Sequence, residues 1–296
     1  MTNPKSPLSS VPEKEEISLQ SKDGTLLNAV LEKNENPRCA ALIVHGYSEH
    51  GGRYQHVAHS LHKTNTTTLR LDLRGHGKSE GSRGNVFDFK EYVEDILAGL
   101  DCLVKTYPEP LPIGLVCHSN GALAGLRLLA DPFLCPKRVA FAALSSPFLG
   151  FAERVPPLKK AFGLLASRLK PTLTLRAPFE GHILTHDKDK IAEREADRLC
   201  NNVVGSRWFT ESVATHAWVQ TFAHRIAIPT LWQLAGDDKL VDLDASLQAI
   251  DKIDPTMVEK QIYDGFYHEI WNELERDRPL SNLNQWICDQ FPISPS

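Results

Sequence analysis

The sequence has no apolar run approaching the roughly 18 residues that a membrane-spanning helix needs. Its opening stretch, MTNPKSPLSSVPEKEE, carries no apolar core of the kind that marks a secretory signal. The expectation is a cytoplasmic protein, with any membrane contact peripheral. An excess of one charge is missing too: 33 Lys and Arg face 37 Asp and Glu, a net of -4. There is no overall basic field to attract nucleic acid. Six cysteines (Cys39, Cys102, Cys117, Cys135, Cys200, Cys288) are scattered without a C-x-x-C pair, which fits reduced, buried thiols rather than a disulfide framework or a zinc site. His56, His59 and His62 do not repair that lack. At helical spacing the first and last lie about 240° apart, so three rings cannot converge on one metal. Gly75-His76-Gly77 lacks the G-x-x-x-x-G-K-[ST] pattern of a phosphate loop and reads as a structural turn. No metal and no cofactor is expected.

What the chain does have is rhythm. Residues 1–14, rich in Pro, Ser and Lys, predict a flexible tail; EEISLQ and LLNAVLEK then flank Lys22-Asp23-Gly24, a hairpin turn. Short apolar runs rich in β-branched residues follow at 39–47, 66–73, 112–119, 139–146, 230–236 and 258–265. Helical patterns lie between most of them, as at 87–106, where Phe89, Tyr92, Ile96, Leu100 and Leu103 recur at spacings of three and four. Strand and helix in alternation predict an α/β fold, a mostly parallel sheet with helices on both faces. One interval, of about 80 residues between Ser146 and Thr230, is far longer than a crossover helix requires. Residues 15–149 and 226–296 are therefore expected to form the core, and 150–225 an inserted helical cap over the carboxyl ends of the strands, where open parallel sheets carry their sites.

The strongest chemical signal lies at one such strand end. The run Ile113 to Cys117 passes through His118-Ser119-Asn120-Gly121-Ala122 directly into the helical ALAGLRLLA. A strand turning straight into a helix about one serine is a nucleophile elbow, which holds the hydroxyl exposed and demands small residues two positions before and after. Gly121 meets that demand; Cys117 stands where glycine is usual. A serine hydroxyl needs an imidazole to take its proton and an acid to orient the imidazole, and in elbows of this kind the acid and the histidine come from later strand ends, in that order. TLWQLAG runs into Asp237-Asp238-Lys239-Leu240-Val241-Asp242, and the last strand-like run into Asp264-Gly265-Phe266-Tyr267-His268. His268 is the base, since no other histidine follows His224. Asp238 is the candidate acid and Asp237 the alternative; Asp242 suits a helix cap. Backbone N–H groups of Asn120, after the nucleophile, and of Tyr47, in the turn His45-Gly46-Tyr47, are the candidate oxyanion hole.

These segments, His45-Gly46-Tyr47-Ser48-Glu49-His50-Gly51-Gly52-Arg53-Tyr54, Asp72-Leu73-Arg74-Gly75-His76-Gly77-Lys78-Ser79, the Ser119 elbow and the Asp238 and His268 strand ends, together resemble the monoacylglycerol lipase and lysophospholipase branch of the α/β-hydrolases. The resemblance spans about residues 17 to 290 and is weakest in the cap. It implies a serine ester hydrolase acting on a lipid monoester with one fatty acyl chain. It also implies that Glu49 and Arg53 line a polar head-group pocket, although a salt bridge ordering their loop is an equal reading of the pair. Some relatives place a histidine three residues after the catalytic one; that position is Trp271 here, so the head group need not be simple glycerol.

Within the cap, PLKKAFGLLASRLK (157–170) sets Leu158, Phe162, Leu165 and Leu169 on one stripe, with Lys159, Lys160, Ser167 and Lys170 away from it. Phe162 and Leu165 are therefore candidate acyl contacts under a lid helix; a basic amphipathic helix resting on a membrane is the competing reading. Residues 150–225 hold twelve Lys and Arg against eight Asp and Glu, a balance of +4 that leaves -8 for the rest. The same triad also suits a short-chain carboxylesterase or an aminopeptidase, because fold and triad do not set the leaving group. A hydrolase-fold binding protein without catalysis is the remaining alternative.

Overall fold

A computed structural model describes residues 13–153, 156–177 and 180–292, apart from the side chains of Pro157, Lys159 and Lys160. Most of the expected tail lies outside the described residues; its last position, Lys14, already pairs in the first strand. Among the described residues ten strands follow in chain order: β1 Lys14–Gln20, β2 Leu26–Glu32, β3 Cys39–Val44, β4 Thr66–Leu71, β5 Ile113–His118, β6 Val139–Ser145, β7 Thr174–Arg176, β8 Val203–Gly205, β9 Thr230–Ala235 and β10 Val258–Tyr263. The α-helices are α1 Gln55–His62, α2 Lys90–Thr106, α3 Ser119–Leu129, α4 Pro157–Leu169, α5 Lys188–Ala196, α6 Ser206–Phe222, α7 Leu243–Ile250 and α8 Asp277–Gln290.

Eight strands form one sheet in the order β1-β2-β4-β3-β5-β6-β9-β10. The β1–β2 hairpin is antiparallel and joins β4 antiparallel, while every pair from β4 to β10 is parallel. The near-continuous apolar runs have the cause expected of a parallel sheet covered on both faces. Along β3, Ala40, Leu42 and Val44 point into a core shared with α2 and α3, and Cys39, Ala41 and Ile43 into one shared with α1 and α8. All six cysteines are unpaired.

Strands β6 and β9 are neighbours in the sheet, yet α4, α5, α6 and the small β7–β8 ribbon come between them in the chain. No helix among the described residues is long and apolar enough to cross a membrane.

Candidate active site

At the carboxyl end of β5 the chain enters α3 with no intervening loop, and Ser119 takes φ +49°. Such a left-handed value is strained for a residue with a Cβ and marks the elbow. Crowding explains the small neighbours: a Cβ on Gly121 would stand 2.4 Å from the His45 carbonyl oxygen. It also explains how Cys117 fits where glycine is usual. A Cβ at Gly125, in the second turn of α3, would lie 3.3 Å from the Cys117 sulfur, so the missing side chain at 125 leaves room for the one present at 117.

Three strand ends meet here. His268 Nε2 lies 2.8 Å from Ser119 Oγ, and its Nδ1 lies 2.8 Å from Asp238 Oδ2. The other Asp238 oxygen accepts the N–H groups of Leu240 (2.9 Å) and Val241 (2.8 Å). Asp237 is turned to the surface and pairs with Lys239, while Asp242 caps α7. Burial pushes the Asp238 carboxyl up, but the charge of His268, their hydrogen bond and the two N–H groups outweigh it and hold the carboxyl below its usual range. Burial likewise pushes His268 down; the charge and hydrogen bond of Asp238, with Glu269 and Glu49 beyond, outweigh it and raise the imidazole above its ordinary value. Neighbouring His118 is driven down to about 4 by burial and by His268. It stays neutral, its Nδ1 2.9 Å from Ser145 Oγ.

The turn after β3 carries Gly46 and Tyr47 to the same place. His45 accepts the Leu73 N–H on Nε2 at 3.0 Å, which leaves Nδ1–H to donate to the Gly46 carbonyl at 2.6 Å. Glu49 accepts the Gly46 N–H (2.7 Å) and the Tyr54 hydroxyl (2.6 Å) on one oxygen and pairs with Arg53 through the other. Arg53 in turn grips both oxygens of Glu269, at 2.9 and 2.8 Å. Glu269 adjoins the histidine in sequence but escaped the sequence reading, because nothing in the chain announces a partner 216 positions away. The Glu49–Arg53 pair is thus a buried loop brace. Glu49 also lines the cavity described below, whereas Arg53 is absent from its walls.

A cavity of about 220 Å³ opens over Ser119. Its polar end is formed by Glu49, His118, His268, Glu269 and Arg194; its apolar walls are Phe148, Phe151, Leu184, Val204, Trp208, Phe209 and Leu240. Val204, Phe209 and Ala177 also line an open apolar groove reaching Leu158 and Phe162 on α4. Phe162 therefore faces the continuation of the cavity, while Leu165 lines neither space and is 57% exposed. Most of the apolar wall comes from the β6–β9 insertion and was not legible beforehand. Periodicity gives a helix its apolar face but not what that face will meet.

Among the described residues one cluster has metal-ligand character: His50, Asp197 and Cys200. His50 Nδ1 accepts the Gly52 N–H at 3.1 Å, so the neutral ring carries its proton on Nε2 and donates it to Asp197 at 2.7 Å. Both nitrogens are thus committed, Nδ1 within the β3 turn and Nε2 as a strap from that turn to the insertion. His56, from the histidine series, meets the Trp271 carbonyl instead.

A family model described as Serine aminopeptidase, S33 matches residues 35–275. The chain is 30% identical over 250 residues to the phospholipase YtpA of Bacillus subtilis, covering 83% of this chain and 93% of that protein. To a monoacylglycerol lipase of Mycolicibacterium smegmatis it is 29% identical over 259 residues, covering 86% and 90%. Among solved structures, the monoacylglycerol lipase of Paleococcus ferrophilus superimposes with a TM-score of 0.79 at 22% identity, over 89% of this chain and 99% of that one. At that identity the superposition speaks for the fold, an α/β-hydrolase fold.

Proposed function

We propose that this chain, which belongs to the Serine aminopeptidase, S33 family and within it to the monoacylglycerol lipase and lysophospholipase-like branch, cleaves the acyl ester of a lipid monoester through Ser119, His268 and Asp238. Ester hydrolysis of the monoacylglycerol lipase type follows from the family; the residues and the substrate are our reading. The observation that carries it is the pair of 2.8 Å contacts placing His268 between Ser119 and Asp238. Neutral His268 takes the Ser119 proton as Oγ attacks the ester carbonyl, and Asp238 holds the ring and balances its charge. Backbone N–H groups of Tyr47 and Asn120 receive the oxyanion. His268 then protonates the departing alcohol, and water hydrolyses the acyl-enzyme by the same route. The acyl chain lies along the apolar wall towards Phe162, and the alcohol at the polar end beside Glu49.

Residues 150–225 act as the cap, with 15–149 and 226–296 as the core. On α4, Leu158, Leu165 and Leu169 face outward with Arg168 and Lys170 exposed beside them. That combination suits the surface of a lipid bilayer from which a monoester passes into the groove.

An aminopeptidase reading draws on the two carboxylates at the polar end, which could hold a substrate ammonium; both are engaged by Arg53. A substrate panel crossing chain length with head group decides. Monoacylglycerols or lysophospholipids should exceed short-chain esters and aminoacyl amides in kcat/KM, and a preference for the amides would overturn the lipid reading.

A further inference from the structure

We propose that Trp208, on the cap, is a positioning residue for the oxyanion hole. The inference rests on the reading that Tyr47 and Asn120 supply its N–H groups. Trp208 lies in the first turn of α6 and is buried. Its indole is stacked on the Tyr47 ring, centroids 3.7 Å apart and planes at 22°. Its Nε1–H donates to Asn120 Oδ1 at 3.1 Å. One cap side chain thus touches both residues of the hole. Because an indole nitrogen only donates, it also fixes which way the Asn120 amide faces.

Trp208 is itself firmly held. Its backbone N–H donates to Asn85 Oδ1 at 3.1 Å, and Asn85 Nδ2 donates to the Pro171 carbonyl at 2.8 Å, pinning α6 to the core loop before α2. Phe148 stacks against the indole at 5.9 Å and 12°. The rest of the β3 turn is gripped by the same stretch of cap. The Tyr47 hydroxyl lies 3.1 Å from the Val203 carbonyl, the Ser48 hydroxyl donates to Asn201 at 3.1 Å, and His50 donates to Asp197. Ser48 has φ +63°, a conformation that persists only when its surroundings enforce it. By contrast, the hydrogen bonds that join Ser119, His268 and Asp238 run between core strand ends, and the insertion touches only their flanks, as where the Glu269 N–H donates to the Leu184 carbonyl at 2.8 Å.

The side chains that bracket the hole therefore come from core and cap together, while the hydrogen bonds within the triad join core residues only. Oxyanion donors stabilise the transition state only when they stand about 3 Å from the developing charge. A slackened Trp208 should consequently weaken transition-state binding and leave ground-state binding intact.

The test is Trp208→Phe, which keeps the stacked ring and deletes the N–H. On a short-chain ester kcat should fall roughly tenfold with KM within about twofold. A trifluoromethyl ketone, whose adduct with Ser119 places an oxyanion in the hole, should bind weaker by the same factor. Asn120→Ala removes the acceptor, and adding Trp208→Phe to it should cost nothing more. A change confined to KM, an unchanged ketone affinity or strictly additive losses would overturn the proposal. Trp208→Phe should still label with a fluorophosphonate at Ser119. If instead Ser119→Ala retained hydrolysis, the reading of the site would fail, a result distinguishable from any of these.

Discussion

Every residue of β3 is buried, and its apolar side chains divide evenly between the two faces of the sheet. On α4, in the insertion between β6 and β9, Leu158 is 83% exposed, Leu169 76%, and Phe162 and Leu165 57% each. Both segments have the apolar periodicity of their secondary structure, yet one pattern is consumed by folding and the other stays exposed. Burying a leucine or phenylalanine is worth about 1.5 to 3 kcal/mol, so the core fixes its own geometry while α4 keeps apolar surface that, on the proposed reading, a lipid would cover. The proposed triad, whose geometry must be rigid, sits at the ends of the first kind of element. Contacts proposed to accept a variable acyl chain sit on the second.

Substitutions at the strand ends should therefore have the largest effects. Asp238→Asn should lower kcat by about 10⁴, whereas Asp237→Asn, at the surface with Lys239, should leave it little changed; the opposite order would move the acid by one residue. The same pair of variants reads the electrostatics. Only neutral His268 can accept the serine proton, and its pKa is raised, so activity should fall as pH drops through a midpoint above the ordinary imidazole value of 6.5. In Asp238→Asn that midpoint in kcat/KM should move down, because the raising charge is gone; a midpoint unmoved by the substitution would show that Asp238 does not set it.

Next in size is the buried brace. Arg53→Ala leaves the carboxylates of Glu49 and Glu269 buried without their shared cation, at a cost of about 3 to 5 kcal/mol. Urea unfolding should show that loss, and a cost below about 1 kcal/mol would reduce the pair to a surface-like contact.

The smallest effects belong to α4. Phe162→Ser and Leu165→Ser should each change unfolding free energy by no more than about 0.5 kcal/mol. Phe162→Ser should lower kcat/KM for long-chain esters about tenfold more than for short ones. Leu165→Ser, off the groove, should instead weaken binding to phosphatidylglycerol vesicles. Equal losses across chain lengths for Phe162→Ser would remove the groove from acyl binding and erase the contrast between core and cap.

The same contrast decided what could be read from the sequence. Strands β3 to β6, β9 and β10 were visible because a parallel sheet covered on both faces writes continuous apolar runs. The elbow was visible because a strand, one serine and a helix follow one another in the chain. His268 followed from order alone. Between Asp237 and Asp238, adjacent carboxylates at one strand end, only the direction of each side chain separates a surface pair with Lys239 from a contact with His268. Glu269, Trp208 and Arg194 escaped altogether. Each gains its position from a long-range partner or from the docking of the insertion, which local pattern does not encode. Cys117 looked like a defect in the elbow until Gly125, beside it in space, supplied the missing room.

The most direct test of the central claim is to treat the purified protein with a fluorophosphonate probe, map the adduct by mass spectrometry and assay monoacylglycerol hydrolysis in parallel. A single adduct on Ser119 is predicted, absent from a Ser119→Ala variant that melts like the parent and has lost hydrolysis by orders of magnitude. Hydrolysis retained in that variant, or labelling at another serine with loss of activity, would contradict the account.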